Sequence, residues 1–273
     1  MRNVRMYVDG YNFYYAIKQK YRLDRIKLGK ESLIGLGWCD FRRLGEHMVD
    51  HNAEQITDIK YFTAKVEKDY PGFAGEKQRQ NDWLNAVSTI TGLRKIMGYF
   101  PIPPGSRSRA ADTSTINNPT KLKPWRKEHY TDVNIAVEIL LDALDAKGYH
   151  KAILISGDTD FAPAVYAVQK GIVDRGLLRG GKTVDVWVPP GISTNGLHEY
   201  FREPEHSCPV RIERITESML AESLLPYEKP RVYSCPPDWR LPLAYLKEKV
   251  PDSLRPDVAR PESSDTTPQG RKQ

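Results

Sequence analysis

Hydrophobic positions in this chain fall into two patterns: short apolar runs closed by turn residues, and longer stretches in which apolar residues return every three or four positions. Residues 151–155 (KAILI) give the clearest run, ended abruptly by Ser156, Gly157 and the polar residues after them. That is a buried strand stopping in a tight turn. Past the turn, Phe161, Pro163, Ala164, Val165, Ala167 and Val168 return on one helical face, with proline tolerated in the first turn. The start of the chain repeats the pattern. Residues 4–8 predict a strand, Asp9, Gly10, Tyr11 and Asn12 its turn, and residues 13–20 an aromatic helix.

Between these units the spacing predicts a helix over 40–51 capped by Asp40, a strand over 57–63, a helix over 76–90, and a strand over 95–100 stopped by the prolines of PIPP. Residues 131–144 (TDVNIAVEILLDAL) form a strongly apolar helix with Thr131 as its expected cap. At about 100° per residue, Ile135, Ala136, Ile139, Leu140 and Ala143 cluster on the side of Asp132. Asp132 is therefore expected to head the buried stripe and face the sheet, with Glu138 and Asp142 on an exposed one. A loop over 171–182, a strand over 183–188, an edge strand over 210–212 and a closing helix over 217–225 complete the pattern. Strands and helices alternate, which calls for an α/β fold with a mainly parallel sheet and helices on both faces. We expect one domain over 1–226 and a C-terminal extension over 227–273. Residues 239–250 of the extension (WRLPLAYLKEKV) are apolar enough to dock on the domain or on a partner, whereas 251–273 have a disordered composition.

Composition narrows the function classes. With 40% hydrophobic and 10% aromatic residues the chain can bury a core, and 41 basic against 35 acidic residues lean towards a polyanionic partner. Cys39, Cys208 and Cys235 are odd in number and form no CxxC pair, which argues against a disulfide framework or a zinc ribbon and for a reducing compartment. No apolar run approaches the roughly 18 residues of a membrane span, and no signal peptide opens the chain, so a soluble, cytoplasmic protein is expected. GLGW at 35–38 lacks the third glycine of a dinucleotide loop. His47 and His51 stand four apart, but Met48 occupies the place of the metalloprotease glutamate, so both are read as solvent-facing.

The chemistry lies in carboxylates at strand ends. In a parallel sheet the carboxyl ends of the strands form one rim, and Asp9, Asp158 and Asp160 share it. Asp132 joins them if its helix, crossing back between parallel strands, begins at that edge. Carboxylates a few ångströms apart raise each other's pKa unless a cation lies between them. Oxygen ligands without Cys or His suit Mg²⁺ or Mn²⁺ rather than zinc. Residues 105–127 add Arg107, Arg109, Lys121, Lys123, Arg126 and Lys127 around Trp125, cations for a phosphate backbone and a ring for an unstacked base; a solvated loop is the alternative.

Three motifs taken in this order, Asp9-Gly10-Tyr11-Asn12, Thr131-Asp132-Val133 and Ser156-Gly157-Asp158-Thr159-Asp160-Phe161, resemble the NYN domain, a branch of the PIN-like nucleases, and most nearly its bacterial LabA/DUF88 group. The resemblance covers about residues 1–226. It implies a PIN-like three-layer sandwich and a metal-dependent endoribonuclease that hydrolyses RNA phosphodiester bonds, leaving 5′-phosphate and 3′-hydroxyl ends. Asp9, Asp132, Asp158 and Asp160 would be catalytic and hold Mg²⁺ or Mn²⁺, and Asn12 would orient a ligand or substrate phosphate. The partner would be RNA, single-stranded or structured, contacted by Lys121, Lys123, Trp125, Arg126 and Lys127, and a homodimer is compatible with this reading. The loops at 105–127 and 171–182 look longer than the group's pattern, and the tail after Pro226 has no counterpart in it. Toprim-type and haloacid-dehalogenase-type enzymes also use aspartates on such a rim, but the first wants a glutamate and the second two aspartates after strand one. The alternative from another class is a non-catalytic RNA-binding or scaffolding module on the same fold.

Overall fold

The computed structural model describes residues 1–66, 75–99, 129–145, 147–171, 174, 176 and 181–256. The cations and tryptophan read at 105–127, among them Lys121, Lys123, Trp125, Arg126 and Lys127, lie outside the described residues, as do residues 257–273. In chain order the elements are β1 (Arg2–Asp9), α1 (Gly10–Ile17), α2 (Asp24–Lys27), α3 (Phe41–Glu46), β2 (Glu54–Ala64), α4 (Glu76–Val87), β3 (Leu93–Gly98), α5 (Thr131–Leu144), β4 (Lys151–Ile155), α6 (Ala162–Tyr166), β5 (Thr183–Val188), α7 (Asn195–Arg202), β6 (Ile212–Arg214), α8 (Glu217–Ala221), the short strands β7 (Glu228–Lys229) and β8 (Tyr233–Ser234), and α9 (Leu243–Lys249).

Six strands form one parallel sheet in the order β3-β2-β1-β4-β5-β6. The chain moves outward from β1 through β2 to β3, returns over the sheet through α5, and moves the other way from β4. Strand order therefore reverses between β1 and β4, and the crevice outside their carboxyl ends is where open α/β sheets place ligands. Alternation along β1 divides the molecule into layers. Val4, Met6 and Val8 point into one core with Phe13 of α1, Phe41 of α3 and Val87 of α4, while Tyr7 points into a second with Ile135 and Ile139 of α5, Val165 of α6 and Leu197 of α7. This is the α/β three-layer arrangement expected from the alternation of elements. Residues of the extension belong to the first core: Tyr227, Tyr233, Trp239, Leu246 and Val250 are buried there, and Trp239 stacks on Tyr14 with ring centroids 5.6 Å apart.

Local chemistry explains the boundaries. Asp40 caps α3 by accepting from the backbone N–H groups of Arg42 and Arg43, and Thr216 caps α8 by accepting from that of Met219. α3 ends at Glu46, short of the expected 51, and His47 and His51 lie near Glu222 and Glu46. Thr131 is the first buried residue of α5 rather than its cap; that place is taken by Tyr130, whose φ is +74° and whose side chain makes no capping bond.

The face of α5 corrects the periodicity reading. Asp132 is exposed, whereas Asp142 is buried and Glu138 half-buried. The reason is a cation inside the sheet. Lys60 of β2 is fully buried, and its ammonium donates to Glu138 and to Asp142 while lying 5.3 Å from the centroid of the Tyr7 ring. The Tyr7 hydroxyl also donates to Asp142, and Arg5 pairs with it at 2.8 Å. Burial pushes the Asp142 carboxyl up, but hydrogen bonds from Lys60 and Tyr7 and the charges of Lys60 and Arg5 outweigh it and hold the pKa below the ordinary value. The buried lysine draws Asp142 and Glu138 towards the sheet beside Ile135, Ile139 and Ala143, so the buried face is shifted round the helix and Asp132 falls outside it.

Candidate active site

The amino and carboxyl ends of the strands carry opposite electrostatics. At the amino ends acids meet cations: Glu54 accepts from Lys151 and from Arg2, the latter at 2.9 Å, and these bonds overcome burial to keep its carboxyl low. At the carboxyl ends acids meet acids. Asp9, the last residue of β1, is 3% exposed, and its pKa is pushed up to about 6 by burial, with further upward pressure from Asp132 and Asp158. Two hydrogen bonds work against the rise, one accepted from the Asn12 backbone N–H at 3.0 Å and one from the Ser156 hydroxyl at 3.0 Å.

These bonds follow from the turns after β1 and β4. Asp9 caps α1, which fixes its carboxylate at the helix start. Gly10 is required next to it, because a Cβ there would stand 2.5 Å from the Tyr61 hydroxyl oxygen and 2.6 Å from the Phe62 carbonyl oxygen. The Asn12 side-chain oxygen accepts from the Gly157 backbone N–H at 3.0 Å and so ties the turn after β1 to the turn after β4. Ser156, fully buried, donates to Asp9 and accepts from the Asp158 N–H at 3.1 Å. Asp158 in turn accepts from the Asp160 N–H at 3.0 Å, capping the 3₁₀ turn Thr159–Phe161. Ser156 is thus the hub of the site, a role the sequence reading missed. Its only signal was its place between the strand and Asp158.

Of the four predicted acids, three act on one another: Asp9 is fixed and buried, and Asp132 and Asp158, exposed and half-buried, supply the neighbouring charges. Asp132 reaches the rim from the first turn of α5, although its side chain is not inward as expected. Asp160 is exposed and contributes its backbone N–H to Asp158. Asn12 binds the protein's own backbone. Among the described residues no group of three His, Cys, Asp or Glu side chains is drawn close enough to hold one ion. The donor chemistry nevertheless fits a hard divalent cation: carboxylate oxygens, no thiol or imidazole, and a buried carboxyl whose raised pKa a cation would reverse.

No helix among the described residues is long and apolar enough to cross a membrane. The chain is 26% identical over 186 residues to 6-hydroxy-3-succinoylpyridine 3-monooxygenase HspA of Pseudomonas putida (strain DSM 28022 / S16), an alignment covering 60% of this chain and 55% of that protein. The chain thus spans about half the length of this curated relative. A crystal structure of a protein of unknown function, VPA0982 from Vibrio parahaemolyticus RIMD 2210633, superposes with a TM-score of 0.45 at 17% identity over 79% of this chain and 93% of that one. The family model of the NYN domain matches residues 3–174, which include both turns, the start of α5 and all four predicted acids. On that match, which covers more than half of its length, the chain belongs to the NYN domain family.

Proposed function

We propose that the protein is a metal-dependent endoribonuclease that hydrolyses RNA phosphodiester bonds at the rim formed by Asp9, Asp132, Asp158 and Asp160. One observation supports this most: Asp9, 3% exposed, is held at the switch point of the sheet with Asp132 and Asp158 adding like charge from two other parts of the chain. A buried carboxylate with like charges beside it is destabilised unless a cation joins them. Asp9, Asp132 and Asp158 would hold Mg²⁺ or Mn²⁺, with Asp160 beside them. Bound there, the cation supplies Lewis acidity towards the phosphate and lowers the pKa of a water molecule. Ser156 keeps the Asp9 carboxylate oriented, and Asn12 locks the two turns at a fixed separation, so one ligand is rigid before substrate arrives. Lys121, Lys123, Trp125, Arg126 and Lys127 remain candidates for holding the RNA chain.

The test is cleavage of labelled single-stranded and structured RNA by the wild type and by Asp158→Asn, in Mn²⁺, Mg²⁺ and EDTA. We expect metal-dependent cleavage by the wild type alone. Equal cleavage by both proteins refutes the assignment. A non-catalytic RNA-binding module is the second reading, favoured by the spacing of the acids, which leaves no ready three-ligand group among the described residues. Binding without cleavage in every metal supports it. The similarity to HspA adds a small-molecule arm: oxygenation of 6-hydroxy-3-succinoylpyridine by the wild type, with dioxygen and a reductant, replaces the nuclease reading.

A further inference from the structure

Next to Asp132 the chain does something that local energetics disfavour. Tyr130, a bulky residue, adopts φ of +74° at the position before α5, a conformation that L side chains other than Asn and Asp rarely take. It is held there by the paired backbone bonds between Tyr99 and His129, donated by the Tyr99 N–H at 3.0 Å and by the His129 N–H at 2.8 Å. The strain does not serve burial. Tyr130 is 64% exposed and Tyr99 49% exposed, with their rings nearly parallel at 18° and centroids 6.2 Å apart. Strained backbone that displays aromatic faces to water, two residues from a rim carboxylate, is a feature of sites rather than of cores.

The surface continues along β3, the edge strand of the sheet among the described residues. Met97, two residues before Tyr99, is 43% exposed and lines a groove of about 570 Å³ between β3 and α4. Lys65 and Lys95 line it as well, with the side-chain amides of Gln78, Asn81 and Asn85, and no carboxylate is among the described lining residues. The Lys95 ammonium donates to the Leu84 carbonyl at 3.2 Å, and the Gln78 amide donates to Asp82 at 3.0 Å, so both side chains are oriented. The groove joins the acidic rim through the turn after β1: the Tyr11 hydroxyl donates to the Ala64 carbonyl at 2.9 Å, immediately before Lys65.

We infer that the β3 edge is a track for single-stranded RNA, in which Tyr130 and Tyr99 stack an unpaired base beside Asp132, and Lys65 and Lys95 hold backbone phosphates in the groove beyond. The chemistry matches the two needs of a single strand: aromatic faces accept any base, and cations follow the backbone. The amides of Gln78, Asn81 and Asn85 offer both donors and acceptors to base edges. A duplex presents neither splayed bases nor a single backbone to such a surface. This inference deepens the nuclease reading by naming how the strand enters, and it rests on that reading only for the direction in which the strand runs to the acids.

The test is fluorescence anisotropy of labelled oligoadenylate and oligouridylate with the full chain in EDTA, where binding is read without cleavage. Tyr130→Phe keeps the ring and should bind as the wild type does. Tyr130→Asn removes the ring while tolerating the left-handed backbone, and should weaken binding roughly tenfold without lowering the melting temperature. Lys65→Ala combined with Lys95→Ala should make the slope of log K against log salt shallower by about 1.4, at about 0.7 per lost phosphate contact. Binding by Tyr130→Asn and Tyr99→Leu within about twofold of the wild type, or no binding by the wild type, overturns the track even if RNA is cleaved. Ring-dependent binding by a protein that cleaves no RNA in Mg²⁺ or Mn²⁺ supports the track and overturns the nuclease reading instead.

Discussion

Replacing Asp9 by Asn should make the protein more stable and abolish the cleavage proposed for it. The carboxyl stands at about 6 in the fold against 3.8 as an ordinary aspartate, an upward shift caused first by burial and then by Asp132 and Asp158. A group raised in this way is destabilising once ionised. The penalty is absent below pH 3.8, grows as pH rises from there to about 6, and is constant above. Each pKa unit is worth about 1.4 kcal/mol, so the penalty is of the order of 3 kcal/mol at pH 7.5. Asn keeps an oxygen for the Asn12 N–H and can donate to Ser156, so most of the local hydrogen bonding survives. Thermal melts of wild type and Asp9→Asn at pH 4, 5, 6 and 7.5 in EDTA should show a stability gap that opens between pH 4 and 6 in favour of the variant, reaching about 1 to 3 kcal/mol. For a domain of this size that is roughly 2 to 12 °C. Saturating Mn²⁺ should then raise the melting temperature of the wild type and leave that of the variant unchanged, because only a native state with its ligands intact gains from binding. Equal stability of the two proteins at pH 7.5, or a gap that does not change with pH, refutes the claim that the fold disfavours an ionised Asp9.

Four further outcomes are expected. Lys60→Met removes the cation from Asp142 and Glu138 and should cost about 3 kcal/mol in urea unfolding, the low end for a broken buried pair because Arg5 and Tyr7 still serve Asp142. Adding Asp142→Asn to it should restore at least about 1 kcal/mol in a double-mutant cycle. Gly10→Ala forces a methyl group against Tyr61 and Phe62, so a loss of about 1 to 3 kcal/mol in the same assay, together with weaker cleavage, should follow. Trp239→Ala removes a ring stacked on Tyr14 from the first core and should cost about 3 to 5 kcal/mol by thermal melt, with no change in the metal dependence of cleavage.

The strands over 151–155 and 183–188 and the helix over 131–144 were legible to the residue, because segments rich in apolar residues end there in Ser-Gly, in proline or in polar turns. Ends set by tertiary contacts were not: β2 begins at Glu54 rather than 57, where pairing with Arg2 of β1 extends it. The nearness of Asp158 to Asp9 was legible because a parallel sheet delivers strand ends to one rim, and that of Asp132 because a crossover helix begins at the same edge. The rotation of α5 was not, since periodicity assigns Glu138 and Asp142 to water and has no access to Lys60, a lysine buried on another strand. The strained Tyr130 was equally invisible, because Thr131 offers a conventional cap and only the bridge between Tyr99 and His129 displaces it.

The placement of β5 limits how the gene can be divided. The family match ends at residue 174, yet β4 is hydrogen-bonded to β5 along its whole length, and Val184, Val186 and Val188 fill the core beneath α6. A fragment of residues 3–174 would bare the flank of a central strand lined with aliphatic side chains, which invites intermolecular pairing and precipitation. Any minimal soluble piece should therefore retain β5 and β6, and the aromatic tail through Val250 that seals the opposite layer.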